Sequence, residues 1–98
     1  DLWLTDVSDA GLNHLKRLSN LEGLGLGGTK VSDEGLERIK GLSNLEELDL
    51  RLTKVTDAGL NNLASLTKLK WLGLGGAKVS DTGVARLRER LPGCYIQT

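Results

Sequence analysis

The chain has 98 residues, the length of one domain that buries roughly 65% of the surface its unfolded form exposes, so it needs no disulfide or metal staples. Lysine and arginine total 13, as do aspartate and glutamate, and a net charge of zero excludes a field that would draw nucleic acid or an anionic membrane. Cys94 is the one cysteine, which excludes an internal disulfide and a cysteine-built zinc site and is compatible with a reducing compartment.

No run of about 20 apolar residues offers a membrane span, and no basic segment followed by an apolar one marks a secretory signal. The chain opens at Asp1 without methionine, so an earlier signal is compatible with it. Asp1-Leu2-Trp3-Leu4 aligns with Gly25 to Gly28, which starts the chain in mid-strand with no polar cap over its first unit. Repeat arrays need such caps, and the expectation is a fragment of a longer protein, with self-association through the uncapped N-terminal end as a possible partner mode.

From there a leucine pattern recurs. Leu21-x-x-Leu24-x-Leu26 returns as Leu45-x-x-Leu48-x-Leu50 and Leu69-x-x-Leu72-x-Leu74, a fixed step of 24 residues, which is the signature of a solenoid. After each run comes Val-[Ser/Thr]-Asp-x-Gly, at Val7 to Gly11, Val31 to Gly35, Val55 to Gly59 and Val79 to Gly83. Leu-x-Leu has the period of two that a strand requires, while Leu36, Ile39 and Leu42 are spaced by three, as on one face of a helix. Ser8, Ser32, Thr56 and Ser80 stand where the helices begin and are expected to cap them through their hydroxyls, each with an aspartate in the first turn.

The combined pattern L-x-x-L-x-L-x-x-T-x-V-[ST]-D-x-G-L-x-x-L resembles the leucine-rich repeat family, closest to short bacterial members and the cysteine-containing repeats of ubiquitin-ligase substrate receptors. The resemblance covers essentially the whole chain. Thr5, Thr29, Thr53 and Ala77 depart from the family's commonest pattern, which has asparagine or cysteine there. It implies an α/β fold: a right-handed solenoid with a concave parallel β-sheet and convex helices. The expected organisation is a single domain over 1–98, about four repeats closed by a capping strand at 91–96. In that strand Leu91-Pro-Gly-Cys94-Tyr-Ile96 is read as L-x-x-L-x-L, with Cys94 and Ile96 in leucine positions and Pro92 tolerated at an edge.

Several motifs invite chemistry and find simpler readings. Gly23-Leu-Gly25-Leu-Gly27-Gly28 resembles a phosphate loop, yet no helix follows directly and Trp71 to Gly76 repeats the run at the same phase. Asp9, Asp33, Asp57 and Asp81 would form a row able to attract a hard cation, but capping accounts for them. Gly11, Gly35, Gly59 and Gly83 cost helix stability and point to close approach of neighbouring coils. Glu47 and Asp49 lie about 7 Å apart on one strand, but Arg51 balances them and an open sheet does not desolvate carboxylates for acid–base work. His14 falls on the outer helix of the first repeat and Cys94 in a core leucine position, which argues against a Cys/His catalytic pair. No cofactor, metal site or enzymatic activity is expected.

What varies between repeats is the outward face of the sheet. Its rows read Gly23, Glu47, Trp71, Gly93, then Asp1, Gly25, Asp49, Gly73, Tyr95, then Trp3, Gly27, Arg51, Gly75, then Leu4, Gly28, Leu52, Gly76. Large residues alternate with glycine troughs. Aromatic residues and arginine are the usual anchors of interfaces, so the expected function is a protein- or peptide-binding module using the concave sheet. Its contacts are Glu47, Asp49, Arg51, Leu52, Trp71, Tyr95 and Trp3. The alternatives are a structural or self-associating scaffold repeat, or the substrate-recognition part of a larger enzyme such as a ubiquitin ligase.

Overall fold

A computed structural model of the chain describes residues 2–3 and 8–98. The side chains of residues 2–3, 13, 16 and 17 lie outside that description, as do the readings placed on Asp1, Leu4, Thr5 and Val7.

Strands and helices alternate along the chain. They run β1 (Leu2–Trp3), a 3₁₀ helix (Asp9–Arg17), β2 (Gly23–Gly25), α1 (Asp33–Ile39), β3 (Glu47–Asp49), α2 (Asp57–Leu63), β4 (Trp71–Gly73), α3 (Asp81–Arg90) and β5 (Tyr95–Gln97). The five strands form one parallel sheet in sequence order, so each helix is a crossover that returns the chain one strand further along. This is the solenoid predicted from the 24-residue step. The first helical segment is 3₁₀ rather than α.

Period two turns Leu24, Leu48, Leu72 and Ile96 to the same side of the sheet, where the first three are joined by Leu26, Leu50 and Leu74. The helices meet them with Leu36 and Ile39, Leu60 and Leu63, and Val84 and Leu87, all buried. A single coil exposes most of these side chains, so stacking is what removes them from water, at about 25 cal/mol per Å² of apolar surface.

The threonines that follow β2 and β3 also work locally. Thr29 and Thr53 are buried, and their Oγ1 atoms donate to the Leu26 and Leu50 carbonyls at 2.6 and 2.7 Å. Each closes the turn after its strand within one repeat. Ala77 keeps only the backbone counterpart, its N–H donating to the Leu74 carbonyl at 2.9 Å.

The hydroxyls at the helix starts behave differently from the expectation. Only Ser80 caps its helix, accepting from the Gly83 N–H at 3.1 Å; Ser8, Ser32 and Thr56 make no side-chain cap bond. The hydroxyls of Ser32, Thr56 and Ser80 each have a charged partner in the preceding coil. Ser32 donates its N–H and its hydroxyl to the two oxygens of Asp9 at 2.8 and 2.5 Å, Thr56 to Asp33 at 2.7 and 2.5 Å, and Ser80 to Asp57 at 2.7 and 2.5 Å. The hydroxyl hydrogen goes to the carboxylate, in a bond roughly twice as strong as a neutral one, and the oxygen lone pairs stay available to accept, which Ser80 alone uses toward its own helix.

The glycine of the motif completes this joint. A Cβ on Gly35 would collide with Asp9 Oδ1 and Leu12, one on Gly59 with Asp33 and Leu36, and one on Gly83 with Asp57. Val-[Ser/Thr]-Asp-x-Gly is therefore a clamp between coils: the aspartate reaches forward, the next hydroxyl and N–H receive it, and the next glycine leaves it room.

The sheet register corrects the expected rows at both ends. Tyr95 pairs with Trp71, Ile96 with Leu72 and Gln97 with Gly73, so the last strand is Tyr95–Gln97 and keeps the 24-residue step. The reading of 91–96 as L-x-x-L-x-L placed it two residues off. Cys94 precedes the strand and is only half-buried, and Pro92 lies in the turn closed by the Cys94 N–H on the Leu91 carbonyl, where its fixed φ suits the turn. At the other end Leu2 pairs with Leu24 and Trp3 with Gly25, which moves Trp3 from the row of Arg51 to the row of Asp49.

Gly59→Ala is expected to destabilise the fold by about 1–3 kcal/mol, because overpacking against the Asp33 carboxylate outweighs the better helix propensity of alanine. Gly41→Ala, at a position with open space around the new Cβ, stays within about 0.5 kcal/mol of the parent. Urea unfolding followed by circular dichroism compares the two. Equal midpoints would remove the glycine from the clamp.

Candidate functional site

β3, β4 and β5 bring the sequence-predicted residues of the outer face into one group. The Cα partners Glu47, Trp71 and Tyr95 form one row across adjacent strands, and Asp49, Gly73 and Gln97 form the next. Arg51 and Leu52 follow β3 directly. Trp3 belongs to the second row by backbone register, beyond Gly25.

Asp49 does not present its carboxylate to solvent. Its exposure is 4%, and Arg51 grips it with Nε on Oδ1 at 2.9 Å and Nη2 on Oδ2 at 2.8 Å, while the Arg51 N–H also donates to Oδ1 at 3.0 Å. The two-point geometry fixes the guanidinium plane. Arg51 itself remains 49% exposed, and its Cζ lies 5.7 Å from the centre of the Trp71 ring. The ring in turn leans along its own strand over Gly73, where any Cβ would collide with it and would crowd Arg51 and Asp49. Gly73 is thus the floor on which the Asp49–Arg51–Trp71 stack rests.

The electrostatics follow from these bonds. The hydrogen bonds from the Arg51 side chain hold the Asp49 carboxyl below the ordinary carboxylate range, against the opposing effect of burial. Asp49 is therefore a fixed anion that orients Arg51, and the pairing leaves it ill-suited to exchanging protons near neutrality. Away from the sheet, the hydroxyl and N–H of Ser80 likewise lower Asp57, and burial pushes the Cys94 thiol up, away from the reactive thiolate.

Leu52 has a positive φ of 59°, in the left-handed region. The equivalent positions in the neighbouring repeats are Gly28 and Gly76, with φ of 74° and 81°, for which that region carries no Cβ penalty. A leucine there costs about 1–2 kcal/mol. Its side chain lies against Gly76 yet remains 71% exposed. Tyr95 is also open, at 65%.

Sequence reasoning missed Gln97. Its Oε1 accepts the Gly75 N–H at 3.1 Å and the amide lies over Gly75, filling one of the expected troughs. The 24-residue step alone would have placed it beside Gly73; the leucine-like run at 91–96 hid it. The expected trough on β2 is not open at its strand, where Gly23 and Gly25 are buried, and the Asp49 carboxylate lies 3.3 Å from a Cβ built on Gly27.

Other chemistry-bearing residues remain apart. His14 sits on the 3₁₀ helix and Cys94 at the far end of the stack before β5. Among the described residues no group of three or more His, Cys, Asp or Glu side chains is placed to hold a metal ion, no buried side-chain nitrogen or oxygen lacks a hydrogen-bond partner, and no helix is long and apolar enough to cross a membrane. A groove of about 540 Å³ on the convex side, between α2 and α3, arises where α2 presents the small residues Ala58, Asn61 and Ala64 to Arg86 and Arg90.

Comparison with solved structures places the fold. The chain superposes on a leucine-rich repeat protein of Leptospira interrogans with a TM-score of 0.62 at 22% sequence identity, over 88% of this chain and 27% of that one. No protein-family model matches the sequence, and neither does any curated protein. The architecture is that of a leucine-rich-repeat solenoid, spanning about a quarter of the length of its Leptospira counterpart.

Two outcomes are expected from this geometry. Asp49 and Asp57 are both lowered in the folded chain, so the stability they contribute is full above the unfolded value of about 3.9 and is lost as pH falls through their folded values. Urea midpoints are expected to hold from neutrality to about pH 5 and to fall below about pH 4, less steeply in Asp49→Asn; an unchanged acid limb in that variant would remove Asp49 as a contributor. Leu52→Gly is expected to raise stability by about 1 kcal/mol through relief of the left-handed backbone, read as a higher midpoint in the same titration.

Proposed function

We propose that residues 1–98 act as one interaction unit that binds a protein or peptide on the concave sheet. The observation that carries this reading is the cluster of exposed Arg51, Leu52 and Tyr95 around the half-buried Trp71 on the sheet, in which Leu52 keeps an apolar side chain in solvent at the expense of backbone strain. Backbone strain kept at a largely exposed side chain is a mark of functional positions. Aromatic rings and a guanidinium held in place lose little entropy on binding, which is the property of interface anchors.

Each residue then has a part. Trp71, Tyr95 and Leu52 supply apolar contact; Arg51 supplies a pre-oriented set of donors; Glu47 supplies an exposed carboxylate. Asp49 acts through Arg51 as a positioning residue, and Gln97 closes the trough over Gly75. The likeness to a leucine-rich repeat protein supports this reading at the level of the fold, since repeat solenoids present extended concave surfaces to their ligands, and the open, shallow face favours binding over catalysis.

Affinity capture from a lysate of the source organism, with the parent chain and a Glu47→Lys/Arg51→Glu/Trp71→Ala variant of unchanged circular dichroism, tests the proposal. A protein retained by the parent and lost by the variant is the expected result; equal retention would move the binding surface to the helices.

A further inference from the structure

We infer that Asp49 sets which partner the sheet accepts: it neutralises Arg51 within the chain, so the partner meets Arg51 with an uncharged amide oxygen, of main chain or side chain, and not with a carboxylate. The inference rests on the binding reading above and names the contact chemistry at its centre.

Arginine carries five N–H donors in one plane. Asp49 takes one from Nε and one from Nη2, and no other acceptor among the described residues takes the rest. The guanidinium is half exposed and lies over the Trp71 ring, so its remaining donors are offered in a fixed plane at the surface, beside the exposed Leu52.

Asp49 decides what those donors can hold. It is buried, and the hydrogen bonds from Arg51 keep it an anion at neutral pH. A partner carboxylate bonded to Arg51 would have that anion on the other side of the same guanidinium. Coulomb energy falls only as the inverse of distance, so attraction to Arg51 and repulsion from Asp49 largely cancel. The exposed Glu47, two residues back on the same face of β3, adds repulsion. Little is left to offset the desolvation of the incoming charge. An amide oxygen escapes both penalties and still accepts from a charged donor, in a bond stronger than a neutral one.

The other charges near the sheet leave this balance in place. Lys70 Nζ lies 3.1 Å from Glu46 Oε1. Lys30, Lys54 and Lys78, exposed beyond β2, β3 and β4, stand two residues before Ser32, Thr56 and Ser80, where Asp9, Asp33 and Asp57 are clasped. Each of these lysines has a carboxylate held at the joint beside it.

Panning a random peptide library displayed on phage against the whole chain tests the inference, with Asp49→Asn, Arg51→Met and Trp71→Ala as comparison baits whose circular dichroism matches the parent. Peptides selected by the parent are expected to depend on Arg51 and Trp71, to be depleted in aspartate and glutamate, and to change affinity less than about twofold with salt. Asp49→Asn is expected to bind acidic peptides about threefold to fivefold more tightly than the parent does, in a salt-dependent way, a reversal of selectivity that a merely structural Asp49 would not produce. Parent-selected peptides that ignore Arg51→Met, or that carry acids as often as the unselected library, would overturn the inference without recourse to any variant at Asp49, and would leave the sheet as the binding surface. An Asp49→Asn bait with the parent's preferences would overturn it as well. Failure to recover any Trp71-dependent peptide would overturn both readings.

Discussion

The joint between coils is the constraint on which this structure depends. Each coil is too thin to bury its own leucines, so the fold exists only as a stack, and a stack needs something that sets the offset of one coil on the next. Leucine packing supplies cohesion without direction. The aspartate that reaches forward to the next serine or threonine supplies direction, because two donors on one carboxylate fix both distance and angle. Once Asp9, Asp33 and Asp57 have located their partners, the strands fall into parallel register, and the outer side chains line up in rows. A bidentate pair such as Asp49–Arg51 can then sit in the middle of a flat face, because the coils beneath hold it steady.

Much of this was legible in the sequence. The 24-residue step, the alternation in Leu-x-Leu and the spacing of Leu36 and Ile39 lead directly to a parallel sheet flanked by helices. The errors share a physical origin. At both ends the expected register was displaced by two residues, and a displacement of two leaves every side chain on its proper side of the sheet. Alternation therefore reports which face a residue occupies but says nothing about even steps along the strand. At β5 the Leu91-to-Ile96 run satisfied alternation while the hydrogen bonds from Tyr95 chose the other solution.

The face itself was less readable for a different reason. Outward position suggested that Glu47, Asp49 and Arg51 form a solvated strip, but exposure depends on what the neighbours do. Gly25 and Gly73 flank Asp49 in its row, Trp71 leans over Gly73, and Arg51 folds back along its own strand, so Asp49 becomes buried while Glu47 stays open. Likewise the helix-start hydroxyls obey the capping pattern in sequence, yet Ser32, Thr56 and Ser80 each donate to a carboxylate of the preceding coil, and of the three only Ser80 also accepts from its own helix. Local rules name the contestants; the stacked geometry decides among them.

The clamp also governs how such a chain changes length. Acceptor, donors and the space between them are all contained in one short motif, so a unit of 24 residues carries a complete socket at one side and a complete plug at the other. Duplication or loss of a whole unit by recombination rejoins matching halves, whatever the copy number. The exposed face is not so indifferent. Bulky β3 sits between the glycine-rich strand β2 and a fourth repeat that shares the Leu-Gly-Leu-Gly-Gly run, so gain or loss of a single unit would bring two ridges or two troughs together. Inheritance in pairs would preserve the binding relief, and in singles only the scaffold.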